Sequence, residues 1–521
     1  MSSAKEPVMR RFGNGLTVLI KEDKSHPVVS LQYWVGTGSM NEGHWQGSGL
    51  SHLLEHLVFK GTAHFSWQEL ARKVQERGGH WNAYTSVNRT VYYIDGPAES
   101  WQIFLNLLTE LVFFPTFPED EMEREKEVVR REMAMYADDP DSVAYQLLMQ
   151  TLYLKHPCRW PVLGERAAFD CLTRQDVLDY HASRYVPNNV VLSIAGDVDA
   201  AEILSHLELL VEDLKSRPLN REPIPHEPHQ FGSRRVRKEF AVPYSKLHLA
   251  WRLPCSAHPD TPALSALSSI LGGGRSARFY EKFHDRLGLV YSIEVHSNQS
   301  ETDEGAFTIS MDVDRAQRDK VRDLVLQELR NLAEEDFTED LKRVCKQTRV
   351  SRLRRRSSAS GVASEMGADW FGSRNLNLSS EWQEAIERVT TEDLHRVCST
   401  WLSSPNVTEV SLDPPGSNAG DEERASASAG TALSEHVLGN GMKVVIREDH
   451  RLPLAYACMA FKAGCRAENE HDAGVTDLMS ECLLKGTSTR SAADIARFLE
   501  DIGGAINTST GNNSLSVGCQ V

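Results

Sequence analysis

Long apolar runs are missing from this chain: none reaches the roughly 18 to 20 residues needed to cross a bilayer. The opening MSSAKEPVMRRFGNG also lacks the apolar centre of a signal peptide. With Met1 as the native start, a cytoplasmic protein with no membrane partner is expected. Basic residues are in deficit, 57 against 73 acidic, for a formal net charge of −16. A nucleic-acid surface normally carries a basic stripe, so nucleic acid is not an expected partner. No CxxC pair occurs, and the nine cysteines are an odd number. That argues against a disulfide framework and for reduced, mostly buried thiols. The remaining composition, 40% hydrophobic and 25% charged, is that of a globular protein. A length of 521 residues predicts three or more domains.

The pattern predicts strands at 16–20 and 28–35, then helices over about 49–60 and 67–77. One or two strands follow at 81–94, helices at about 98–113, 119–136 and 140–153, and a strand at 189–194. An α+β domain thus spans 1–215. The proline-rich stretch 216–232 reads as a stiff polar linker. A second α+β unit spans 233–412, opening with strands near 238–242 and 246–253. Its basic tract Arg352 to Arg356 reads as a solvated helix face. A second linker, 413–433, is rich in Pro, Gly, Ser and Ala.

The segment 434–521 repeats the start of the chain. LGNGMKVVIRED (438–449) matches FGNGLTVLIKED (12–23), GVTDLMSECLLKGT (474–487) matches GLSHLLEHLVFKGT (49–62), and GGAINTST (503–510) matches GGHWNAYT (78–85). Three blocks in one order at nearly constant offset indicate a duplicated domain. The copy keeps glycines but places Asp477, Ser480 and Glu481 where the first has His52, Glu55 and His56. It stops where the first copy needs about 120 further residues, so a longer natural protein is expected.

His52-Leu53-Leu54-Glu55-His56 carries the chemistry. Residues four apart on a helix share a face, with Cβ atoms about 5–6 Å apart, so two imidazoles can bind one metal ion. Catalytic zinc takes three protein ligands and leaves one position open, and Glu55 is placed to act as a base. The plain alternative is a helix with two surface histidines; Leu53, Leu54 and Leu57 argue against full exposure. A third ligand is sought in the acidic run 121–132, where Glu125 and Glu132 are seven apart and share a face.

The inverted motif His-x-x-Glu-His resembles the pitrilysin family of zinc metallopeptidases, the inverzincins. The likeness extends through GGHWNAYTSVNRTVYY, EREKEVVRREMAMYADDPDS and RFYEKFHDRLGLVYSI, and looks closest to the mitochondrial processing peptidase-like branch. It implies an α+β fold of duplicated domains, each a mixed, mostly antiparallel sheet packed with helices. It implies one zinc ion per active site on His52, His56 and Glu132, with Glu125 supporting them and Glu55 as general base. Asn82, Ala83 and Thr85 match a strand edge that pairs with substrate backbone. Tyr291 matches a tyrosine that stabilises the oxyanion. The family's arginine seven residues before it is absent; His284 stands there, with Arg286 nearby. Asn88 is a second departure. The implied activity is endoproteolysis of peptides or unfolded segments in a chamber, completed by a C-terminal half or by a second copy in a homodimer. The alternative is a non-catalytic scaffold of the same fold.

Overall fold

The computed structural model of the chain describes residues 6–219, 223–298, 305–402, 405–415, 434–446 and most of 455–520. They fall into two compact units, Met1–Ala419 and Gly420–Val521.

The first unit holds two sheets. Strands β1 (Val8–Arg11), β2 (Thr17–Glu22), β3 (Val28–Val35), β4 (His80–Thr85), β5 (Thr90–Pro97) and β6 (Val190–Gly196) form one, in the order β1-β2-β6-β3-β5-β4. Only β2 and β6 run parallel. Strands β7 (Arg234–Glu239), β8 (Ser245–Leu253), β9 (Val290–Asn298), β10 (Gly305–Val313) and β11 (Thr408–Asp413) form the other, ordered β7-β11-β8-β10-β9, with β7 parallel to β11. Read from the edge strands β4 and β9, the two orders agree over five strands, β1 being the extra strand of the first sheet. The second half therefore repeats the topology of the first without its motif.

Helices α1 (Leu50–Val58), α2 (Trp67–Gln75), α3 (Trp101–Phe113), α4 (Glu119–Asp138), α5 (Pro140–Leu152), α6 (Arg166–Asp170), α7 (Arg174–Arg184) and α8 (Ala200–Leu210) belong to the first half. The second contributes α9 (Thr261–Gly272), α10 (Arg318–Asn331), α11 (Thr338–Arg355), α12 (Ala359–Ser373), α13 (Leu378–Glu387) and α14 (Thr391–Val397). Leu53, Leu54 and Leu57 of α1 join Phe104 and Leu108 of α3 and Val129 of α4 in one core against Leu31 and Tyr33 of β3.

The halves exchange helices. α5 leaves the first half and packs on β8 and β11, where Leu148 and Leu152 meet Ala250 and Val410. α12 leaves the second half and packs on β3 and β6, where Ala363 and Met366 meet Trp34 and Val191. The exchange is bonded as well: Gln32 donates to the Ser360 carbonyl at 3.1 Å, and Ser193 to the Ala363 carbonyl at 2.7 Å. β3 is thus covered on both faces, and all of VVSLQYWV but Val28 is buried, the polar Ser30 and Gln32 included.

Gly367 marks the closest approach, since a Cβ there would lie 2.4 Å from the Trp34 ring. In an exposed helix Gly→Ala gains about 1 kcal/mol of propensity. Trp34 is 2% exposed and cannot retreat, so overpacking of roughly 1–3 kcal/mol should win. Gly367→Ala is expected to lower unfolding stability by about 1–2 kcal/mol, measurable by denaturant titration.

Several expectations need correction. The strand placed at 238–242 is β7, Arg234–Glu239; Phe240 and Val242 supplied the apolar signal, but pairing with β11 sets the register. Within the described part of the stiff 216–232 linker, buried Glu227 accepts the backbone N–H groups of Leu154, Lys155 and His156 at 2.6–3.0 Å. Asp413 is the last residue of β11 rather than the start of a linker; residues 416–433 lie outside the described residues. The thiols are not mostly buried: of eight described, all free, only Cys398 is buried, and Cys171, Cys458 and Cys482 are exposed. The basic tract is divided as well, since Arg352 and Arg356 turn onto buried Glu365 at 2.9 and 2.5 Å.

In the second unit, β12 (Ser434–Val437) pairs with β13 (Lys443–Ile446). β14 (Tyr456–Phe461), β15 (Ala505–Thr510) and β16 (Leu515–Gln520) form a three-stranded sheet ordered β14-β16-β15, beside α15 (Val475–Leu483). Its turns repeat those of the first copy. Gly49 and Gly474 begin α1 and α15 at φ +73° and +89°, and the bridges Gly61–Ser66 and Gly486–Ser491 coincide after alignment. Among the described residues, no helix of the chain is long and apolar enough to cross a membrane.

Candidate metal centre

α1 is a short helix held at its N-terminal end. Its first turn follows Gly49, in left-handed backbone; a Cβ there would meet the Leu163 carbonyl oxygen at 2.0 Å. Glu42, fully buried, accepts the Ser51 N–H at 2.8 Å and so satisfies a free donor at the helix start. Ser51 Oγ meets the Tyr180 hydroxyl at 2.8 Å, which reaches Thr37 Oγ1 at 2.6 Å. The leucines of α1 face the core, and the opposite face presents His52, Glu55 and His56.

Glu42 was not foreseen. A signal existed in the repeat: Glu468 accepts the N–H groups of Gly474 and Thr476 at 2.7 and 2.8 Å. The same acidic clamp survives in the copy that has lost its histidines. Burial pushes the Glu42 carboxyl from its ordinary 4.5 up to about 8, against the opposing pull of its Ser51 hydrogen bonds. Between those two values the folded protein holds a proton that the unfolded chain releases, so stability falls as pH rises from about 4.5 to 8. Glu42→Gln removes this proton exchange. Its unfolding temperature is expected to change less over that range, with an advantage over wild type on the order of 2–4 kcal/mol near pH 8.

His52 Nε2 and His56 Nε2 each lie 3.8 Å from Glu132 Oε2, on α4. One donor atom from each of the three residues falls within 4.8 Å of the others. Around a tetrahedral zinc with bonds of about 2.0–2.1 Å, neighbouring donors would be about 3.3 Å apart. The distances are therefore too long for hydrogen bonds and slightly wider than such a cage. Two imidazoles and one carboxylate are a donor set of the catalytic zinc type. Burial lowers the His52 ring to about 3, so it stays in the neutral, ligating form. Its Nδ1 is buried without a hydrogen-bond partner among the described residues.

Glu125, two turns before Glu132 on the same face of α4, braces the other histidine. Its Oε2 meets His56 Nδ1 at 3.1 Å and its Oε1 pairs with Lys60 Nζ at 2.5 Å. Burial alone would raise the Glu125 carboxyl, but these two partners hold it below its ordinary value. Such a carboxylate–imidazole bond fixes ring orientation. Glu55 accepts the Thr85 hydroxyl on Oε2 at 2.5 Å. Burial raises the Glu55 carboxyl, and Thr85 opposes the shift.

β4 is the free edge of its sheet and lies beside α1. Its side chains alternate. Trp81 and Ala83 pack on the core and Thr85 turns to Glu55, whereas Asn82 and Tyr84 are exposed. Asn82 Oδ1 accepts the Ala83 N–H at 2.8 Å, so the side chain caps its own strand edge. Such capping protects an edge from unwanted pairing.

Tyr291 is not among the residues gathered with the three donors. It is 60% exposed, and its ring lies 5.3 Å from that of Tyr244. Its local setting is distinctive: β9 pairs Ser292 with Asp312 and Val290 with Val313, leaving Tyr291 as the extra residue of a bulge. Bulges re-aim side chains. His284 stacks on Tyr280 and bonds Asp285 at 2.7 Å, and Arg286 pairs with Glu281. Asn88 accepts from Arg89 at 3.1 Å. In the second copy, Asp477 at the His52 position accepts the Thr510 hydroxyl at 2.9 Å, and Ser480 is buried. The Glu481 side chain lies outside the described residues.

Two family models match the chain: "Insulinase (Peptidase family M16)" over residues 17–166 and 443–519, and "Peptidase M16 inactive domain" over 172–347. An uncharacterized zinc protease of Mycobacterium tuberculosis is 30% identical over 56% of this chain and 67% of its own length. This chain belongs to the insulinase family of peptidases. Another family relative, an uncharacterized zinc protease of Bacillus subtilis, is 27% identical over 74% of this chain and 92% of its own. Among solved structures, a protease from Helicobacter pylori superposes with a TM-score of 0.73 at 26% identity, covering 78% of this chain and all of that one. A peptidase inactive domain from Pseudomonas fluorescens shares the fold, with a TM-score of 0.72 over 79% of this chain and 98% of that one, at 20% identity. The insulinase model thus matches both the copy that holds the histidines and the copy that lacks them.

Proposed function

We propose that this insulinase-family protein is a zinc-dependent endopeptidase acting on peptides or unfolded protein segments. The observation that carries this reading is the meeting of His52, His56 and Glu132 beside the Glu55 carboxylate. His52, His56 and Glu132 would hold the ion, with Glu125 orienting His56. When bound, zinc supplies Lewis acidity toward a carbonyl and acidifies water.

The rest of the chemistry belongs to the chain. Glu55 takes the proton of the attacking water and passes it to the leaving amine. Its partial burial suits this, because burial makes the carboxylate a stronger proton acceptor than one in water. The edge strand β4 offers backbone pairing to an extended substrate once Asn82 turns away from Ala83. Affinity through main-chain bonds gives loose side-chain specificity. Tyr291, presented by its bulge, is the candidate hydroxyl for the developing oxyanion.

A second reading has an observation behind it. Residues 172–347 match an inactive-domain model, and the second copy has Asp477 and Ser480 in place of a ligand and the base. A scaffold role of the same fold follows if the first copy is silent too. Zinc analysis of the purified chain, with cleavage of a quenched peptide, separates the two. One zinc per chain and turnover abolished by chelation are expected; a protein without metal or turnover sinks the peptidase reading.

A further inference from the structure

The two oxygens of Glu55 are not equivalent. Oε2 accepts the Thr85 hydroxyl at 2.5 Å, a length typical of a charge-assisted O–H···O⁻ bond. A threonine has one hydroxyl proton, and here it is committed to the carboxylate. Thr85 sits at the end of β4, opposite Thr90 of β5. Thr90 is fully buried and bonded to the Thr37 carbonyl at 3.0 Å. Thr37 in turn connects through Tyr180 to Ser51 of α1. A β-branched side chain on a strand has few rotamers, so the Thr85 hydroxyl is held from both the sheet and the helix.

The second copy provides a contrast within one chain. Thr510 occupies the place of Thr85 and also donates to a carboxylate on the facing helix, that of Asp477 at 2.9 Å. That carboxylate stands at the position of His52, not of Glu55. The strand hydroxyl binds a helix carboxylate in both copies, but only in the first is the acceptor the residue beside the metal-ligand cluster.

We propose that Thr85 is a positioning residue for the base, holding one oxygen of Glu55 so that the other faces the attacking water, and that its side chain is not a substrate contact. The inference rests on the peptidase reading above. Its chemistry follows from the bond: with Oε2 tied, the carboxylate cannot rotate away, and Oε1 is left as the proton acceptor.

Thr85→Val keeps the shape and removes the donor; Thr85→Ser keeps the donor and removes the methyl group. Both are compared with wild type as full-length, zinc-loaded chains on a quenched peptide, alongside zinc content and the unfolding temperature of the metal-free forms. A hydrogen bond to a charged group predicts a fall in kcat of about 10- to 100-fold for Thr85→Val, with KM within about two-fold. Thr85→Ser should stay within about three-fold of wild type. Zinc content and metal-free unfolding temperature should not change enough to account for the loss. An unchanged kcat with raised KM would make Thr85 a substrate contact and overturn the proposal. Equal impairment in both variants would make it a packing residue and overturn it too. Should Thr85→Val not fold, Thr85→Ala carries the same comparison with Thr85→Ser. A wild type that binds no zinc and cleaves nothing defeats the peptidase reading itself; an active wild type with an equally active Thr85→Val defeats only this inference.

Discussion

Glu55→Gln is expected to bind zinc like wild type and to cleave peptides about 10²- to 10⁴-fold more slowly, the range that a positioned proton-transfer group contributes. The substitution is nearly isosteric, and its amide oxygen can still accept from Thr85. His52, His56 and Glu132 are untouched, so the donor set is intact. What is lost is the ability to take a proton from water and return it to the amine. Metal analysis and single-turnover cleavage on the same preparation make the test. Wild-type turnover in this variant would remove Glu55 from the mechanism. Loss of zinc would instead mean that Glu55 had been holding the metal, which its bond to Thr85 argues against.

Glu132→Ala is expected to lose the metal. Its carboxylate is the α4 group that faces the ligating Nε2 atoms of the pair on α1, at 3.8 Å from each, whereas Glu125 meets His56 at Nδ1. Two imidazoles from one helical turn leave two positions of a tetrahedral ion to water, whereas catalytic zinc sites use three protein ligands. Residues that merely brace a ligand cost about 10- to 100-fold in metal affinity when removed, so a ligand should cost more. Competition against a chromophoric chelator reads this directly, and peptide cleavage should vanish at zinc concentrations that saturate wild type. Folding is not expected to suffer, since the Glu132 side chain is 30% exposed and the core contacts of α4 come from Met122 and Val129. Retention of tight zinc binding would show that another donor completes the site.

Much of the local architecture was legible beforehand for a simple reason. The helices at 101–113, 119–138 and 140–152 answer to the helical patterns read at about 98–113, 119–136 and 140–153. β3 follows from a segment rich in β-branched and aromatic residues, VVSLQYWV. The His52–His56 pair needs only the geometry of one helical turn. These are properties of neighbours along the chain. The edge strand was also found, but not the direction of its side chains: whether Thr85 faces substrate or Glu55 depends on where α1 lies against β4.

The amino-acid sequence alone therefore settled the helix that carries two histidines and a glutamate, the strand patterns around it, and the duplication that left a second copy without them. Spacing left Glu125 and Glu132 as alternatives in an acid-rich helix and resemblance alone told them apart, whereas the tertiary structure sets Glu132 opposite both imidazoles and Glu125 against His56; only the tertiary structure decided that Glu42 and Glu227 are buried clamps rather than surface charges. It alone showed α5 and α12 crossing to each other's sheets. Periodicity is written in residues a few positions apart, whereas the partner of a side chain lies tens to hundreds of positions away and is chosen by how whole elements pack.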